Sequence, residues 1–221
     1  KIAFFTTVFP QNEKFLLNFF NSLANQSYKK FDLIVVNDGL NNLKDYKNNF
    51  TKLNIVELNS ACSPVKNREL GINYCIDNDY DILIFGDSDD YFDVNRVEKS
   101  VEILKVNDIV VNDLSLFDES GVYQKMYLSN RLKDYQKIDL EFIKNKNIFG
   151  LSNTAIRLRD LEKIKFPKDL IALDWYIFSK FLIDGKKAIF TNKTVSYYRQ
   201  HEQNTIGLKQ FDESSFNKAL N

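Results

Sequence analysis

Three aspartates stand close together in the stretch FGDSDDYF (85–92), where Asp87, Asp89 and Asp90 share four consecutive positions with one serine. The preceding run, YDILIF (80–85), is almost wholly apolar and is typical of a buried strand. Carboxylates held this close repel one another by roughly a few kcal/mol unless something neutralises them. A hard divalent cation with oxygen ligands does so, and it usually also binds substrate phosphates. The stretch therefore predicts a site for a metal ion and a diphosphate.

A second apolar stretch also ends in an acidic residue. DLIVVND (32–38) delivers Asp38, which Gly39 follows. Because ligands of open α/β sheets bind at the carboxyl ends of the strands, we expect Asp38 and the acidic cluster at the same edge. The alternative is a solvated acidic turn that caps the next helix, with Asp93 or Asn95 as the N-cap. The acid at the second strand end favours the metal and diphosphate site.

The elements that must position these aspartates alternate between strands and helices. Strands are predicted at 1–9, 31–38, 54–59, 80–85 and 108–117, and helices at 13–26, 41–52, 65–78 and 95–107. This alternation indicates βαβ units, and the apolar strands fit a mainly parallel sheet covered on both faces. The later part is predicted to hold a hairpin (115–128), a short helix (137–147), a strand (151–158), a helix closed by Gly185 (174–185) and two short strands, KAIFTN and TVSYYRQ.

Composition narrows the class of protein. The 30 Lys and Arg residues balance 30 Asp and Glu residues, so the chain lacks the basic excess of a general nucleic-acid binder, and nucleic acid is not expected as a partner. The apolar share of 44% indicates a substantial core. The sequence shows no internal repeat and no linker rich in Pro, Gly or Ser, which predicts one compact domain over 1–221. Cys62 and Cys75 show no metal-ligand spacing and are expected to be reduced.

The expected location is cytoplasmic. No apolar run approaches the roughly 20 residues that span a bilayer, and the start of the chain is not typical of a secretory signal. Because the sequence begins with Lys1 rather than Met, a lost anchor stays open, as does a peripheral contact with the inner membrane. The sequence does not indicate an oligomeric state.

The order and spacing of three motifs resemble family 2 glycosyltransferases, of the bacterial surface-glycan type, which have the GT-A fold. TTVFPQNEKFLLNFFNSLANQSYKKFDLIVVNDGL (6–40) follows the family's opening strand, Pro-containing loop, helix ending near Q-S/T-Y, and strand into D-D-G-S. NRELGI (67–72) matches its A-R-N-x-G-I, and ILIFGDSDD (82–90) matches its D-x-D-D. The resemblance covers about residues 1–110 well and continues more weakly to about 207.

The resemblance implies a fold and an activity. The fold would be a Rossmann-like, mainly parallel sheet flanked by helices, with a smaller mixed acceptor-side region. Residues 1–114 would bind the nucleotide sugar, 115–207 the acceptor, and 208–221 would be a C-terminal tail. The activity would be inverting, metal-dependent transfer of a sugar from a nucleotide-diphosphate sugar, most commonly a UDP-sugar, to a hydroxyl of a glycan or lipid-linked acceptor in polysaccharide biosynthesis. The cofactor would be Mn²⁺ or Mg²⁺.

The family's donor-side roles carry over to five positions. Asp38 would contact the nucleotide base or ribose, and Arg68 would lie near the base and phosphates. Asp87 would face the ribose or the donor sugar. Asp89 would be the main metal ligand, with Asp90 near it. Without the resemblance, Arg68 is read as an exposed helix cation.

The acceptor side would supply a base. LIALDWYIFSKFLIDG (170–185) matches the family's late helix start and makes Asp174 the candidate that removes the acceptor proton. Apolar neighbours could raise its pKa, and the alternative is that Asp174 only caps the helix. Trp175, the sole tryptophan, is either an acceptor-stacking ring or a core aromatic. Asn153 and Thr154 are weaker candidates for lining the acceptor side.

The last informative stretch is YYRQHEQNTIG (197–207), which resembles the family's Y-R-x-H-x-x-N-x-S/T ending. His201, the only histidine, would complete the metal shell, and Arg199 would face the diphosphate. A lone histidine is otherwise more often a surface or core residue than a metal ligand.

The chain departs from the family pattern at three places. N-D-G-L replaces D-D-G-S, Glu69 replaces an asparagine, and Leu173 replaces the acid before the candidate base. These departures leave two other classes open. One is a non-catalytic sugar-nucleotide-binding protein. The other is a metal-dependent phosphoryl-transfer enzyme with an aspartyl nucleophile, which would need a companion lysine that the sequence does not clearly offer.

Overall fold

The computed structural model describes residues 1–144, 146–167, 170 and 172–200. Within them the chain forms one mixed sheet of ten strands. The strands are β1 (Ile2–Val8), β2 (Asp32–Asn37), β3 (Asn54–Asn59), β4 (Ile82–Phe85), β5 (Tyr91–Phe92), β6 (Ile109–Asp118), β7 (Gly121–Gln124), β8 (Lys137–Ile138), β9 (Thr154–Arg157) and β10 (Ala188–Arg199). The α-helices are α1 (Glu13–Ala24), α2 (Leu43–Asn49), α3 (Pro64–Asp77), α4 (Arg96–Ile103), α5 (Leu140–Ile143) and α6 (Leu173–Ile183).

The strand order β3-β2-β1-β4-β9-β6-β10-β5 places a topological switch beside β1. The chain runs outward from β1 to β2 and β3, and then α3 returns it to β4 on the other side of β1. These four strands are parallel, so their carboxyl ends open on one edge. A crevice at such a switch point is where ligands bind in open α/β sheets. The strand order therefore places the ends of β1, β2 and β4 around one crevice.

Two apolar cores cover the two faces of the sheet, as the apolar strands predicted. Successive side chains of a strand point to opposite faces. Phe4 accordingly packs against Phe19 of α1, with ring centroids 6.2 Å apart, while Phe5 packs against Phe85 on the other face, also at 6.2 Å. The first core also contacts α4, and the second lies beneath α3 and α6. The predicted α/β class and the mostly parallel central sheet flanked by helices are confirmed.

The sequence prediction needs three corrections, two of them in the second half and one in the first. The described residues within 137–147 form β8 and the short α5 rather than one helix; Asp139 accepts the Phe142 N–H at 2.9 Å and so starts α5 late. The two short terminal strands are one strand, β10, whose pairing with β6 shifts between Thr191 and Val195. The polar residues at this shift interrupt the apolar pattern, which is why the sequence predicted two strands instead of one. The sequence prediction missed β5, because two residues are too few to show a strand pattern. This strand is defined by its antiparallel pairing with β10.

The sheet continues from one predicted half into the other. β9 lies between β4 and β6 and is antiparallel to both, so the later region completes the same sheet. Gly185 follows α6 with φ +81°, the left-handed conformation that its predicted closing role requires. Among the described residues, no helix combines the length and apolarity needed to cross a membrane.

Candidate active site

The edge at the switch point carries a linked set of polar side chains from three elements. Arg68, on α3, donates to the hydroxyl of Thr7 at the end of β1 and to the Asp87 carboxylate, after β4, at 2.9 Å. The side chains of Arg68 and Asp87 are 18% and 31% exposed, so this ion pair is only partly shielded from solvent. The sequence prediction brought Arg68 and Asp87 to one site, and the structure places them in direct contact.

Asp38 joins this edge through α3. Its backbone N–H donates to the carbonyl of Val8 at 2.8 Å, and its carboxylate accepts the side-chain N–H of Asn67 at 2.9 Å. Asn67 is fully buried, and its oxygen accepts from the Ser60 hydroxyl at 2.6 Å. The Asp38 carboxylate is therefore held at the end of β2 by a buried amide of the neighbouring helix.

The three clustered aspartates have different surroundings. Burial raises the pKa of Asp87 to about 6, the charge of Arg68 opposes this shift, and the charge of Asp89 adds to it. Asp89 is half-buried. Asp90 is fully buried, and burial together with the charges of Asp89 and Asp87 raises its pKa well above the ordinary range. The spacing of the motif thus produces two half-buried carboxylates and one that lies inside the protein.

Among the described residues, no three His, Cys, Asp or Glu side chains converge as a metal site. His201, the predicted third ligand, lies outside the described residues. Mg²⁺ and its like are nevertheless commonly held by one or two carboxylates together with substrate phosphates and waters. The carboxylate oxygens of Asp89 are hard donors that fit this demand, and the charge of Asp89 contributes to the raised pKa of the neighbouring Asp87.

Arg199 lies behind the acidic loop at the end of β10. Its guanidinium carbon is 4.3 Å from the ring centroids of both Phe15 and Phe117. Its Nε–H donates to the carbonyl of Asp89 at 2.7 Å. Stacking between two aromatic rings fixes a guanidinium plane and leaves less freedom to be lost on binding an anion. Arg199 is thus brought to the acidic loop, and its contact with the diphosphate stays a prediction.

Asp174 lies in the first turn of α6, next to the acidic loop. Its charge contributes to the raised pKa of Asp87. Burial raises the pKa of Asp174 itself, and hydrogen bonds from the Trp175 N–H and from Asn147 oppose this shift. The N-cap position of α6 is Ala172, so Asp174 is not the N-cap of the helix. A carboxyl of raised pKa beside the donor-side residues has the surroundings of a general base.

Two weaker sequence candidates are wrong in detail. Asn153 and Thr154 are 1% and 0% exposed, so neither can line an acceptor surface. The Asn153 side chain instead bonds backbone groups of its own loop and of β6. Their neighbour Ser152, which sequence reasoning missed, contacts the acidic loop. A single serine carries no sequence signal that could have identified it.

Trp175 is mainly an anchor for the start of α6. Its indole N–H donates to the carbonyl of Ile143 at 3.1 Å, and its ring packs against the second core. It also lines a surface groove of about 510 Å³ with Tyr176 and Ile183. The core alternative for this tryptophan therefore has direct structural support.

The family model described as glycosyl transferase family 2 matches residues 5–165. The chain belongs to this family, and the predicted family and enzyme class are confirmed at that level. The match includes the ends of β1, β2 and β4, where the donor-side residues lie.

Two curated relatives are similar over most of this chain. Glycosyltransferase GlyA of Streptococcus pneumoniae is 24% identical over 85% of this chain and 29% of its own length. Poly(ribitol-phosphate) β-N-acetylglucosaminyltransferase TarS of Staphylococcus aureus is 24% identical over 90% of this chain and 36% of its own length. The chain therefore spans about a third of each of these two relatives.

Solved structures share the fold at low identity. Residues 1–349 of S. aureus TarS, in complex with UDP-GlcNAc, superpose with a TM-score of 0.71 and 20% identity, covering 92% of this chain and 60% of that one. GalNAc-T7 with UDP, GalNAc and Mn²⁺ gives a TM-score of 0.62 at 12% identity, covering 92% and 44%. These likenesses support the GT-A fold of this chain.

Proposed function

We propose that this chain transfers a sugar from a nucleotide-diphosphate sugar, most simply a UDP-sugar, to a hydroxyl of a glycan or lipid-linked acceptor, with inversion at the anomeric carbon. One observation carries the proposal: residues from separate elements, Asp38, Arg68, Asp87 and Asp174, meet at the carboxyl edge of β1, β2 and β4. Membership of glycosyl transferase family 2 supports the same reaction class.

In the proposed complex the donor lies across the switch point. Asp38 binds the nucleoside with a carboxylate that the Asn67 amide holds in place at the end of β2. Arg68 approaches the diphosphate from α3, and Arg199 does so from the end of β10. Arg68 already pairs with Asp87, so an incoming diphosphate has to share or replace that partner. Asp87 then faces the ribose or the donor sugar.

A divalent cation, Mn²⁺ or Mg²⁺, would be held by Asp89 and by His201 together with the diphosphate oxygens. When bound, it would supply positive charge to stabilise the departing nucleoside diphosphate. The described residues fit this role because Asp89 offers a half-buried carboxylate beside the carboxyl groups of Asp87 and Asp90.

The transfer step is assigned to Asp174. The acceptor hydroxyl oxygen forms a bond to the anomeric carbon as the bond from that carbon to the diphosphate oxygen breaks. The hydroxyl proton passes to the Asp174 carboxylate, and the bonding electron pair leaves with the nucleoside diphosphate. Burial raises the pKa of Asp174, which makes the carboxylate a stronger base than an exposed aspartate.

The first test measures UDP binding and nucleoside-diphosphate release with a panel of sugar nucleotides, in Mn²⁺ and in EDTA. Wild type is compared with Asp89→Asn and with Asp184→Asn, a matched change at the exposed far end of α6. We expect metal-dependent binding in wild type and in Asp184→Asn. In Asp89→Asn the metal-dependent release should fall by at least ~100-fold, because the proposed ligand charge is lost.

The outcomes separate the proposed reaction from its alternatives. Binding of UDP with Mn²⁺ and no release with any donor or acceptor tested would favour the non-catalytic sugar-nucleotide-binding protein. No binding of any nucleotide by the wild-type chain would overturn the proposal and make the acidic cluster a solvated turn.

A further inference from the structure

Ser152 connects two parts of the acidic loop through one hydroxyl group. Its Oγ accepts the backbone N–H of Asp87 at 3.0 Å and donates its own proton to the carboxylate of Asp90. The serine is 3% exposed and precedes β9, so it reaches the loop from the region predicted to bind the acceptor. The hydroxyl therefore fixes the start of the loop relative to its end.

Asp90 completes this connection from inside the protein. Its second carboxylate oxygen accepts the backbone N–H of Arg199 at 2.7 Å, and the residue is 0% exposed. The hydrogen bonds of Asp90 thus join the segment before β9 and the end of β10 across the loop that carries Asp89. A carboxylate held in this way supports a neighbouring ligand more readily than it reaches a solvent-borne ion itself.

A second layer of hydrogen bonds holds Ser152 in place. The Ser196 hydroxyl, on β10, donates to the Ser152 carbonyl at 2.6 Å, and the Asn112 amide, on β6, donates to the Ser196 oxygen at 3.1 Å. All three residues are buried. Because the backbone of Ser152 is bonded to β10 through Ser196, and Ser196 is bonded to β6 through Asn112, the hydroxyl of Ser152 approaches the loop from a segment tied to the sheet.

We infer that Ser152 and Asp90 are positioning residues, a hydroxyl–carboxylate clamp that sets the direction of Asp89 and the backbone at Asp87 for a divalent cation carrying a nucleoside diphosphate. The inference rests on the proposed function and deepens it, since it assigns the predicted ligand Asp90 a place behind the ion. It also makes metal-assisted donor binding depend on residues of the acceptor-side region.

Substitutions at Asp90 and Asp89 separate a positioning role from direct ligation. Asp90→Asn keeps an oxygen for the Arg199 N–H and offers an amide to the Ser152 oxygen, so it preserves the clamp while removing the ionisable carboxyl group. A direct ligand would lose its function with this change, as Asp89→Asn should. The clamp predicts that Asp90→Asn binds Mn²⁺ and UDP within about threefold of wild type.

The experiment measures the Kd of UDP with and without Mn²⁺ by calorimetry, and Mn²⁺ binding by electron paramagnetic resonance. The variants are Ser152→Ala, Ser152→Thr, Asp90→Asn, Asp89→Asn and Ser115→Ala, the last being a buried serine of β6 outside the clamp. Ser152→Ala should weaken UDP binding in Mn²⁺ by about 10- to 100-fold, the usual loss for an outer-shell partner, with little effect on metal-free binding. Ser152→Thr should recover most of the loss because it restores the hydroxyl, and Ser115→Ala should bind normally.

Each result has a definite meaning once wild type is shown to bind Mn²⁺ and UDP. Wild-type affinity in Ser152→Ala, or equal losses in Asp90→Asn and Asp89→Asn, would overturn the clamp. Equal losses with and without Mn²⁺ in Ser152→Ala would show only a folding defect and would also overturn it. If Ser152→Ala does not fold, the comparison of Asp90→Asn with Asp89→Asn still decides. Failure of wild type itself to bind would contradict the proposed function instead.

Discussion

At the scale of single residues, two departures from the family pattern have physical reasons. Asn37 uses both ends of its amide, since its nitrogen donates to the Leu40 carbonyl and to Glu57, at 2.9 and 2.8 Å, while its oxygen accepts the Leu40 N–H. An aspartate there could not donate and would face the Glu57 carboxylate. Glu69 accepts from Lys66 and from the Phe166 N–H, both at 2.7 Å, so it ties α3 to a later segment. Both changes leave Asp38 and Arg68 in place.

Asp174 carries the sharpest prediction at this scale. Asp174→Asn should lower kcat by about 10²- to 10⁴-fold, because the amide cannot accept the acceptor's proton, while the Kd of UDP stays near the wild-type value. Asp184→Asn, the same change at the other end of α6, should leave both quantities unchanged. Steady-state kinetics beside calorimetry would measure them. Full activity in Asp174→Asn would exclude this residue as the base.

The pH dependence of the same step follows from the raised pKa. Asp174 must be ionised to accept a proton, and burial raises its pKa, so activity should fall on the acid side at a higher pH than an ordinary aspartate would give. Asp87, with its pKa of about 6, titrates on the same side. The fall in activity at low pH that remains in the Asp174→Asn variant therefore reports the protonation of Asp87, on the donor side. An Asp174→Asn variant that matches wild type in both kcat and pH profile would contradict the assignment.

At the scale of elements, the first turn of α4 is capped by a side chain from another part of the chain. Asn95 occupies the N-cap position without a side-chain cap bond, and Asp93 accepts the Asn95 N–H at 3.2 Å rather than an N–H of the first helical turn. Gln26, after α1, accepts the Val97 N–H at 2.9 Å and donates to the Asp93 carbonyl at 2.8 Å. A cap from another element fixes where the chain turns after the acidic loop. Gln26 belongs to the Q-S-Y motif, so this motif has a structural role here.

The contact of α3 with β1 depends on the absence of a side chain at Gly71. A Cβ there would lie 2.1 Å from Cε2 of Phe5. Gly71→Ala should therefore lower the free energy of unfolding by about 1–3 kcal/mol through overpacking, even though alanine is the better helix former by about 1 kcal/mol. Denaturant unfolding would measure the change.

The substitution Phe5→Leu is the control, because it removes the ring that the added Cβ at position 71 would meet. The cost of Gly71→Ala should shrink in the Phe5→Leu background, since leucine leaves room for the added methyl group. An equal cost in both backgrounds would show that the loss arises elsewhere.

At the scale of the whole molecule, β9 joins the two predicted halves. Its pairing with β4 on one side and β6 on the other makes one hydrogen-bonded sheet, and the second core contains residues of both halves. An interface of this kind cannot open without breaking strand pairs. The boundary at residue 114 therefore separates two proposed binding roles and not two sheets. That the chain is a single domain stays a prediction, which unfolding can test.

Trp175 allows that test, because it is the only tryptophan and lies in the later half. Unfolding in urea followed by Trp fluorescence and by far-ultraviolet circular dichroism should give coincident transitions, as expected for a single cooperative unit. A fluorescence transition at clearly lower urea would show that the acceptor-side region unfolds separately.

The sequence by itself determined the alternating elements of the first half, the apolar strands with acids at their ends, and the family. These properties are local: side-chain periodicity, strand ends and motif order follow from neighbouring residues. Only the tertiary structure decided that β9 inserts between β4 and β6, that β5 pairs with β10, and that Ser152 reaches the acidic loop. The reason is that these contacts join residues from about 45 to more than 100 positions apart. Their partners are chosen by packing, hydrogen bonding and burial, which no short stretch of sequence contains.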